Sequence, residues 1–257
     1  MTATAADVDG YLAEDEVLAD ARARGRAAGA APVSAGTGAA LALLAATTAA
    51  RAVVEIGTGC GVSGLWLLRG MAADGTLTSI DVDPELQRAA RRSFLDAGHG
   101  PGRLRLINGL ALEVLPRLTD GGYDLVLVDV ARSGGGARIA AGAADYPDYL
   151  AEAIRLLRPG GILVLDGVLV GGGREVTAGT GTNGDSTGGT APDGPALDAG
   201  AVDAGAPDGT AGPAADGDPA HRAAAGLREA ARLVREDERL VPALLPLGDG
   251  LLVATRR

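Results

Sequence analysis

Two acidic residues and a glycine-rich turn are the groups in this sequence that could bind a cationic ligand. Glu55 ends a short apolar run, and the chain then turns through three alternate glycines, Gly57, Gly59 and Gly61. Glycine allows a sharp turn and a close approach to a ligand because it has no Cβ. The second acid, Asp81, ends another apolar run. At about this separation from a glycine turn, an acid typically binds ribose hydroxyls.

This pattern differs from the dinucleotide-binding fingerprint in two ways. Counted from Gly57, the first glycine of the turn, the third glycine of the fingerprint would fall where this chain has Val62. In addition, the negative charge of Glu55 would repel a pyrophosphate but attract an ammonium or sulfonium group. A ligand with a cationic end and a ribose suits both acids, and S-adenosylmethionine is such a ligand. A nicotinamide-dependent oxidoreductase is the weaker alternative, because only the glycine turn supports it.

The elements that position these groups alternate between strand and helix. This alternation predicts an α/β fold with a Rossmann-like, doubly wound and mostly parallel sheet that has helices on both faces. A final helix and a hairpin close the chain. The predicted strands are 53–56, 77–81, 104–107, 125–129, 162–166, 240–246 and 251–255, and the predicted helices are 64–71, 84–96, 110–117, 146–157 and 220–238.

Two further helices are predicted in an N-terminal region that spans 8–50. The first covers 11–28, and the second covers 37–49 with Ser34 as its N-cap. With 257 residues, 47% of them hydrophobic, the chain is long enough for one domain over 1–257.

The low-complexity segment 171–218 consists mainly of Gly, Ala, Asp, Thr and Pro. We expect it to be disordered, because it has too little apolar surface to offset the entropy of ordering. An expanded loop without a role is the preferred interpretation, and a lid over the ligand is the alternative.

Charge and composition exclude several classes of partner. The formal net charge is −10, so nucleic acids and anionic membranes are poor partners. The single cysteine, Cys60, cannot form an internal disulfide, and no apolar run approaches the roughly 20 residues that span a bilayer. We therefore expect a cytoplasmic protein.

Six motifs occur in order, and together they resemble one family. This is the S-adenosylmethionine-dependent class I O-methyltransferase family, which includes catechol and caffeoyl-CoA O-methyltransferases, and its small bacterial members are the most similar. The resemblance implies seven strands, one of them antiparallel, methyl transfer to a small hydroxylated acceptor, and a homodimer. The motifs are 55–59 with 63–67, 75–81, 123–129, 145–150, 156–161 and 246–250.

The resemblance also implies a set of cofactor contacts. Glu55 would contact a polar group of the cofactor, Ser63 would bind its carboxylate end, and Asp81 would bind both ribose hydroxyls. The remaining contacts would come from the turn backbone and from two flanking valines. The implied cofactor-binding residues are Val33, Glu55, Gly57, Thr58, Gly59, Ser63, Asp81 and Val82.

Many members of the family hold a divalent cation such as Mg²⁺ with three oxygens, and two of the three positions remain here. Asp129 and Asp166 are the matching acids, but the asparagine position is Gly167. A family lysine that assists deprotonation is replaced by Arg132, which stays protonated. We expect no catalytic metal, with weak binding as the alternative. Without a metal, Asp129 is the candidate that orients or deprotonates the acceptor, with Asp145 behind it.

These departures leave a second hypothesis open, namely a non-catalytic protein that binds S-adenosylmethionine. Leu110 stands where many relatives have an adenine-facing acid, and Ala131 replaces an acid that contacts the cofactor. Aromatic residues make up only 2% of the chain, which weakens the case for a catechol acceptor.

Overall fold

The computed structural model describes residues 4–130, 146–169 and 219–257. Seven strands form one sheet in this part of the chain. They are β1 (Ala52–Ile56), β2 (Thr76–Asp81), β3 (Leu104–Asn108), β4 (Tyr123–Val128), β5 (Leu157–Asp166), β6 (Leu240–Leu245) and β7 (Leu251–Arg256).

The strand order is β3-β2-β1-β4-β5-β7-β6. Strands β1 to β5 are parallel, and β7 is antiparallel to both of its neighbours, β5 and β6. The predicted α/β class, the seven strands and the one antiparallel strand are therefore confirmed.

Helices cover both faces of the sheet. Residues of α2 to α5 pack in one apolar cluster, and residues of α6 to α8 pack in the other. The central strands supply alternate side chains to the two clusters, as buried parallel strands do. The helices are α1 (Ala5–Asp9), α2 (Glu16–Ala27), α3 (Ala35–Thr47), α4 (Val62–Gly70), α5 (Pro84–Asp96), α6 (Ala111–Val114), α7 (Tyr146–Leu156) and α8 (Pro219–Glu236).

Three of the boundaries that differ from the predictions have local reasons. Helix α2 begins at Glu16 and not at residue 11, because the Asp15 carboxylate accepts a hydrogen bond from the Leu18 N–H at 3.0 Å and caps the helix. The predicted helix 110–117 ends at Val114 and continues as a 3₁₀ turn that contains a proline. Strand β5 starts earlier than predicted, because Leu157 pairs with Tyr123 before a register shift.

Ser34 is the N-cap of α3 as predicted, and its hydroxyl accepts from the Thr37 N–H at 3.2 Å. Among the described residues, no helix is long and apolar enough to cross a membrane. The predictions for Ala131, Arg132, Asp145 and the 171–218 segment fall outside the described residues.

Candidate functional site

The register of the sheet brings the predicted acids to one edge. Ile56 of β1 pairs with Ile80 of β2 and with Val128 of β4, which in turn pairs with Leu165 of β5. The next residue of each strand therefore lies in the same row at the carboxyl ends, where open α/β sheets bind ligands. Across the sheet this row reads Asp81, Gly57, Asp129 and Asp166.

Strand alternation places these acidic side chains on the same face of the sheet. Leu127 and Val164 belong to the apolar cluster that α2 to α5 cover. Because side chains repeat every two residues along a strand, Asp129 and Asp166 point to that face. The same period places Glu55 and Asp81 there as well.

Gly57 allows β1 and β4 to approach each other at the start of the turn. Its φ is +100° and its N–H donates to the Ile80 carbonyl at 2.9 Å. A Cβ added at this position would lie 2.0 Å from the Asp129 carbonyl oxygen. At Gly59, where φ is +50°, an added Cβ would meet no atom of the described residues within 4 Å.

We expect Gly57→Ala to destabilise the protein strongly, by about 3–5 kcal/mol, because it combines overpacking against backbone with a left-handed conformation. Gly59→Ala is the matched control, and it should cost only about 1–2 kcal/mol for the left-handed conformation. Denaturant unfolding of the two variants and the unaltered protein measures both values. Equal losses in the two variants would contradict the close approach at Gly57.

Asp81 joins the end of β2 to the glycine turn. Its Oδ2 accepts from the Gly59 N–H at 2.9 Å, and its Oδ1 accepts from the Asp83 N–H at 2.8 Å. Burial raises the pKa of Asp81, and the backbone donors oppose that effect. A carboxylate has about four lone-pair sites, so these two hydrogen bonds do not use all of them. Asp81 can therefore accept hydrogen bonds from two adjacent hydroxyls while it holds the turn.

Glu55 lies behind the turn and is completely buried. Its two oxygens accept from the Ser63 and Ser79 hydroxyls, both at 2.5 Å. The Ser79 hydroxyl also lies 2.7 Å from that of Thr58. Desolvation raises the pKa of Glu55 to about 7, although both serine hydroxyls lower it.

This geometry bears on the predicted roles of Glu55 and Ser63. Because Ser63 donates its proton to Glu55, its hydroxyl presents lone pairs to a ligand. Lone pairs suit an ammonium group, which donates hydrogen bonds. A carboxylate of the ligand would need a donor, so the Ser63 hydroxyl would have to turn its proton from Glu55 to the ligand. Direct contacts of these two residues with a cofactor stay predictions.

Glu55 should make the stability of the protein depend on pH. The pKa of Glu55 in the folded protein, about 7, exceeds the ordinary value of 4.5. The contribution of Glu55 to the free energy of unfolding is therefore complete below pH 4.5 and is lost as the pH rises to about 7. Glu55→Gln should abolish this loss, which is on the order of 3 kcal/mol. Urea unfolding across this pH range measures the difference in the free energy of unfolding between the two proteins. The effects of the other titratable groups cancel in this difference, because both proteins contain them. A difference that does not change with pH would contradict the raised pKa.

A cleft opens between the glycine turn and the segment 28–34. This segment connects α2 to α3, and we call it the link. Five of the predicted cofactor residues and Asp129 line this cleft. The link residues from 30 to 32, Cys60 and Val62 were missed by sequence reasoning. The complete lining is Ala30, Ala31, Pro32, Val33, Gly57, Thr58, Gly59, Cys60, Val62, Ser63 and Asp129.

Val82 and Leu110 follow the ends of β2 and β3. Val82 is 42% exposed and Leu110 is 49% exposed, so both offer apolar surface at the same edge of the sheet. Packing of Val82 against a cofactor base stays a prediction.

The described residues do not form the three-oxygen metal site of the resembled family. Asp129 and Asp166 are adjacent in register and are 8% and 1% exposed. The next position, Gly167, has no side-chain oxygen, and its N–H donates to the Gly250 carbonyl at 3.0 Å. In the described ranges, no group of three or more His, Cys, Asp or Glu residues is arranged to hold a metal. We derive no chemical step through a metal.

Comparisons with known proteins agree on one family. Residues 11–181 match the family model described as O-methyltransferase. The chain is 45% identical to the Mycobacterium tuberculosis H37Rv protein named "Probable O-methyltransferase Rv1220c", over 98% of this chain and 89% of that protein.

Solved structures give the same fold. The crystal structure of cofactor-bound Rv0187 from MTB has a TM-score of 0.69 and 27% identity, covering 100% of this chain and 99% of that one. The Streptomyces achromogenes O-methyltransferase TomG, solved in complex with SAM, has a TM-score of 0.66 and 25% identity, covering 96% of this chain and 92% of that one.

Proposed function

This chain belongs to the O-methyltransferase family, and we propose that it transfers the methyl group of S-adenosylmethionine to a hydroxyl oxygen of a small molecule. The observation that carries the proposal is the cleft itself. It brings the glycine turn and Asp129 together at the carboxyl ends of the strands, and Asp81 is hydrogen-bonded to that turn.

The residues present fit this cofactor. Asp81 has lone pairs for the ribose hydroxyls, and the glycine turn allows the ligand to lie close to the backbone. In the cleft, the Ser63 hydroxyl offers lone pairs to the ammonium group, and the buried Glu55 behind it adds a negative charge in its ionised form. When bound, S-adenosylmethionine supplies the electrophilic methyl group.

Asp129 is the group that we assign to the acceptor. It lines the cleft beside the turn, and its carboxylate can accept the proton of an acceptor hydroxyl or hold that hydroxyl by a hydrogen bond. Methyl transfer requires the acceptor oxygen in line with the methyl group, so alignment by Asp129 would itself contribute to the rate.

The proposal is tested with S-adenosylmethionine labelled in its methyl group and a panel of phenols, catechols and aliphatic alcohols. Amine and thiol analogues of each acceptor serve as controls for the reacting atom. We expect label in the oxygen-methylated product of at least one acceptor and none in the controls. No transfer to any hydroxyl by protein saturated with cofactor would overturn the proposal.

A non-catalytic protein that binds S-adenosylmethionine is the second candidate, and Gly167 is the observation that favours it. The double variant Gly167→Asn with Arg132→Lys restores the two family residues. If the unaltered protein and this variant both bind the cofactor but neither transfers methyl groups nor binds Mg²⁺, the non-catalytic function is favoured.

A further inference from the structure

A largely buried arginine holds the link that forms one wall of the cleft. Arg22 of α2 donates from Nη1 to the carbonyl oxygen of Val33 at 2.7 Å. Its Nε and Nη2 donate to the two carboxylate oxygens of Glu14 at 2.7 and 2.5 Å. The Arg22 side chain is 12% exposed and that of Glu14 is 14% exposed. The guanidinium thus makes a bidentate ion pair and a backbone contact at once.

Glu14 connects this pair to the helix that follows the glycine turn. The Trp66 indole N–H donates to Glu14 Oε1 at 3.4 Å, and Trp66 is 3% exposed. The next residue, Asp15, pairs with Arg69 at 2.5 Å, and the Arg69 guanidinium lies 5.0 Å from the centroid of the Trp66 ring. Helix α4 carries both Trp66 and Arg69, so the two walls of the cleft are connected through Glu14 and Arg22.

Packing against α2 fixes the other end of the link. The Ala30 N–H donates to the Gly25 carbonyl at 2.9 Å. A Cβ added at Gly25 would lie 2.9 Å from Pro32 Cγ, so the link lies directly on the helix. Val33 is 1% exposed and directly precedes Ser34, the N-cap of α3. Displacement of the Val33 carbonyl would therefore shift the wall of the cleft and the start of α3 together.

We propose that Arg22, oriented by Glu14, is a positioning residue that sets the distance between the link and the glycine turn and thereby the affinity for the cofactor. This inference rests on the proposed function, because the ligand of the cleft is taken to be S-adenosylmethionine. Arg22 itself does not line the cleft. Its effect passes through the Val33 carbonyl.

Lysine at this position cannot replace arginine, because one ammonium group cannot reproduce the planar fork that serves Glu14 and Val33 together. Arg22→Lys and Arg22→Met should each raise the Kd and the KM for S-adenosylmethionine by about tenfold or more. The kcat at saturating cofactor should change by less than about twofold. The lost interaction would stabilise the bound cofactor equally in the ground state and in the transition state. Glu14→Gln should act in the same direction, and Arg22→Met with Glu14→Gln should be no worse than Arg22→Met alone.

Arg155 provides a matched control at the opposite edge of the sheet. It pairs with Glu152 at 2.6 Å and donates to the Leu115 carbonyl at 2.8 Å, so it has the same kind of contacts. Arg155→Met should lower the melting temperature and leave the Kd and KM for the cofactor unchanged. Isothermal titration, steady-state kinetics and thermal melting are measured for all variants.

The inference is overturned if the Arg22 variants lower the melting temperature as the control does but leave Kd and KM unchanged. A fall in kcat with unchanged KM would also overturn it. If Arg22→Met does not fold, Arg22→Lys, which keeps the charge, decides the matter. Failure of the unaltered protein to bind S-adenosylmethionine would overturn the proposed function and this inference with it, so the two failures are distinguishable.

Discussion

Asp81→Ala is expected to lower the affinity for S-adenosylmethionine by about 100-fold. The physical reason is the loss of two hydrogen bonds from ribose hydroxyls to a charged acceptor, together worth about 3 kcal/mol. Asp81 is also the acceptor for the Gly59 N–H, so the turn loses a restraint in the same variant. Equilibrium dialysis with labelled cofactor measures the change in Kd.

Asp83→Asn is the control for this prediction, because it changes an acid two residues away. The Asp83 carboxylate caps α5 by accepting from the Glu85 N–H at 2.7 Å, and asparagine caps helices equally well. We expect the control to bind cofactor normally and Asp81→Asn to be intermediate. A folded Asp81→Ala protein with unchanged affinity would contradict the assignment of Asp81 to the ribose.

Asp129→Asn is expected to lower kcat by about 10²- to 10⁴-fold, the usual contribution of a positioned general base. The variant keeps the shape of the side chain and removes its charge, so the Kd for the cofactor should change only a few-fold. Single-turnover kinetics with saturating cofactor separates this chemical effect from binding.

Asp166→Asn is the companion variant, because Asp166 is the neighbour of Asp129 in register. We expect it to have a smaller effect on kcat, since Asp129 is the residue that lines the cleft. Equal losses in both variants, together with activity that EDTA abolishes, would contradict the metal-free account. They would indicate a cation held by both carboxylates.

The sequence predicted the sheet well because its signals are local. The apolar runs that end at Ile56, Asp81 and Asp166 correspond to buried parallel strands. A short apolar run of this kind favours a strand, and the glycine turn after the first run supports that assignment. The N-cap at Ser34 was predicted for the same reason, since a cap depends on residues within one turn of helix.

Contacts between distant segments were not predictable. The second donor to Glu55 is Ser79, which lies in the adjacent strand, and nothing near Glu55 in the sequence indicates that both of its oxygens are enclosed. Likewise, Arg22 and Glu14 look like ordinary charges on a solvent-facing helix, and only the position of α4 shows that they are mostly buried. One signal was available for the link, because a glycine, Gly25, stands inside α2 at the place where Pro32 packs.

Helix α1 shows a different limit of sequence reasoning. It has five residues and no buried side chain, so no apolar periodicity reveals it. Its capping box between Thr4 and Asp7 was the available signal.

The most direct test of the central claim, that the turn and Asp81 bind S-adenosylmethionine, is isothermal titration of the unaltered protein with this cofactor. We predict saturable binding at one site per chain, competition by S-adenosylhomocysteine, and no saturable binding of NAD. Absence of saturable binding, or binding of NAD in preference to S-adenosylmethionine, would contradict the account.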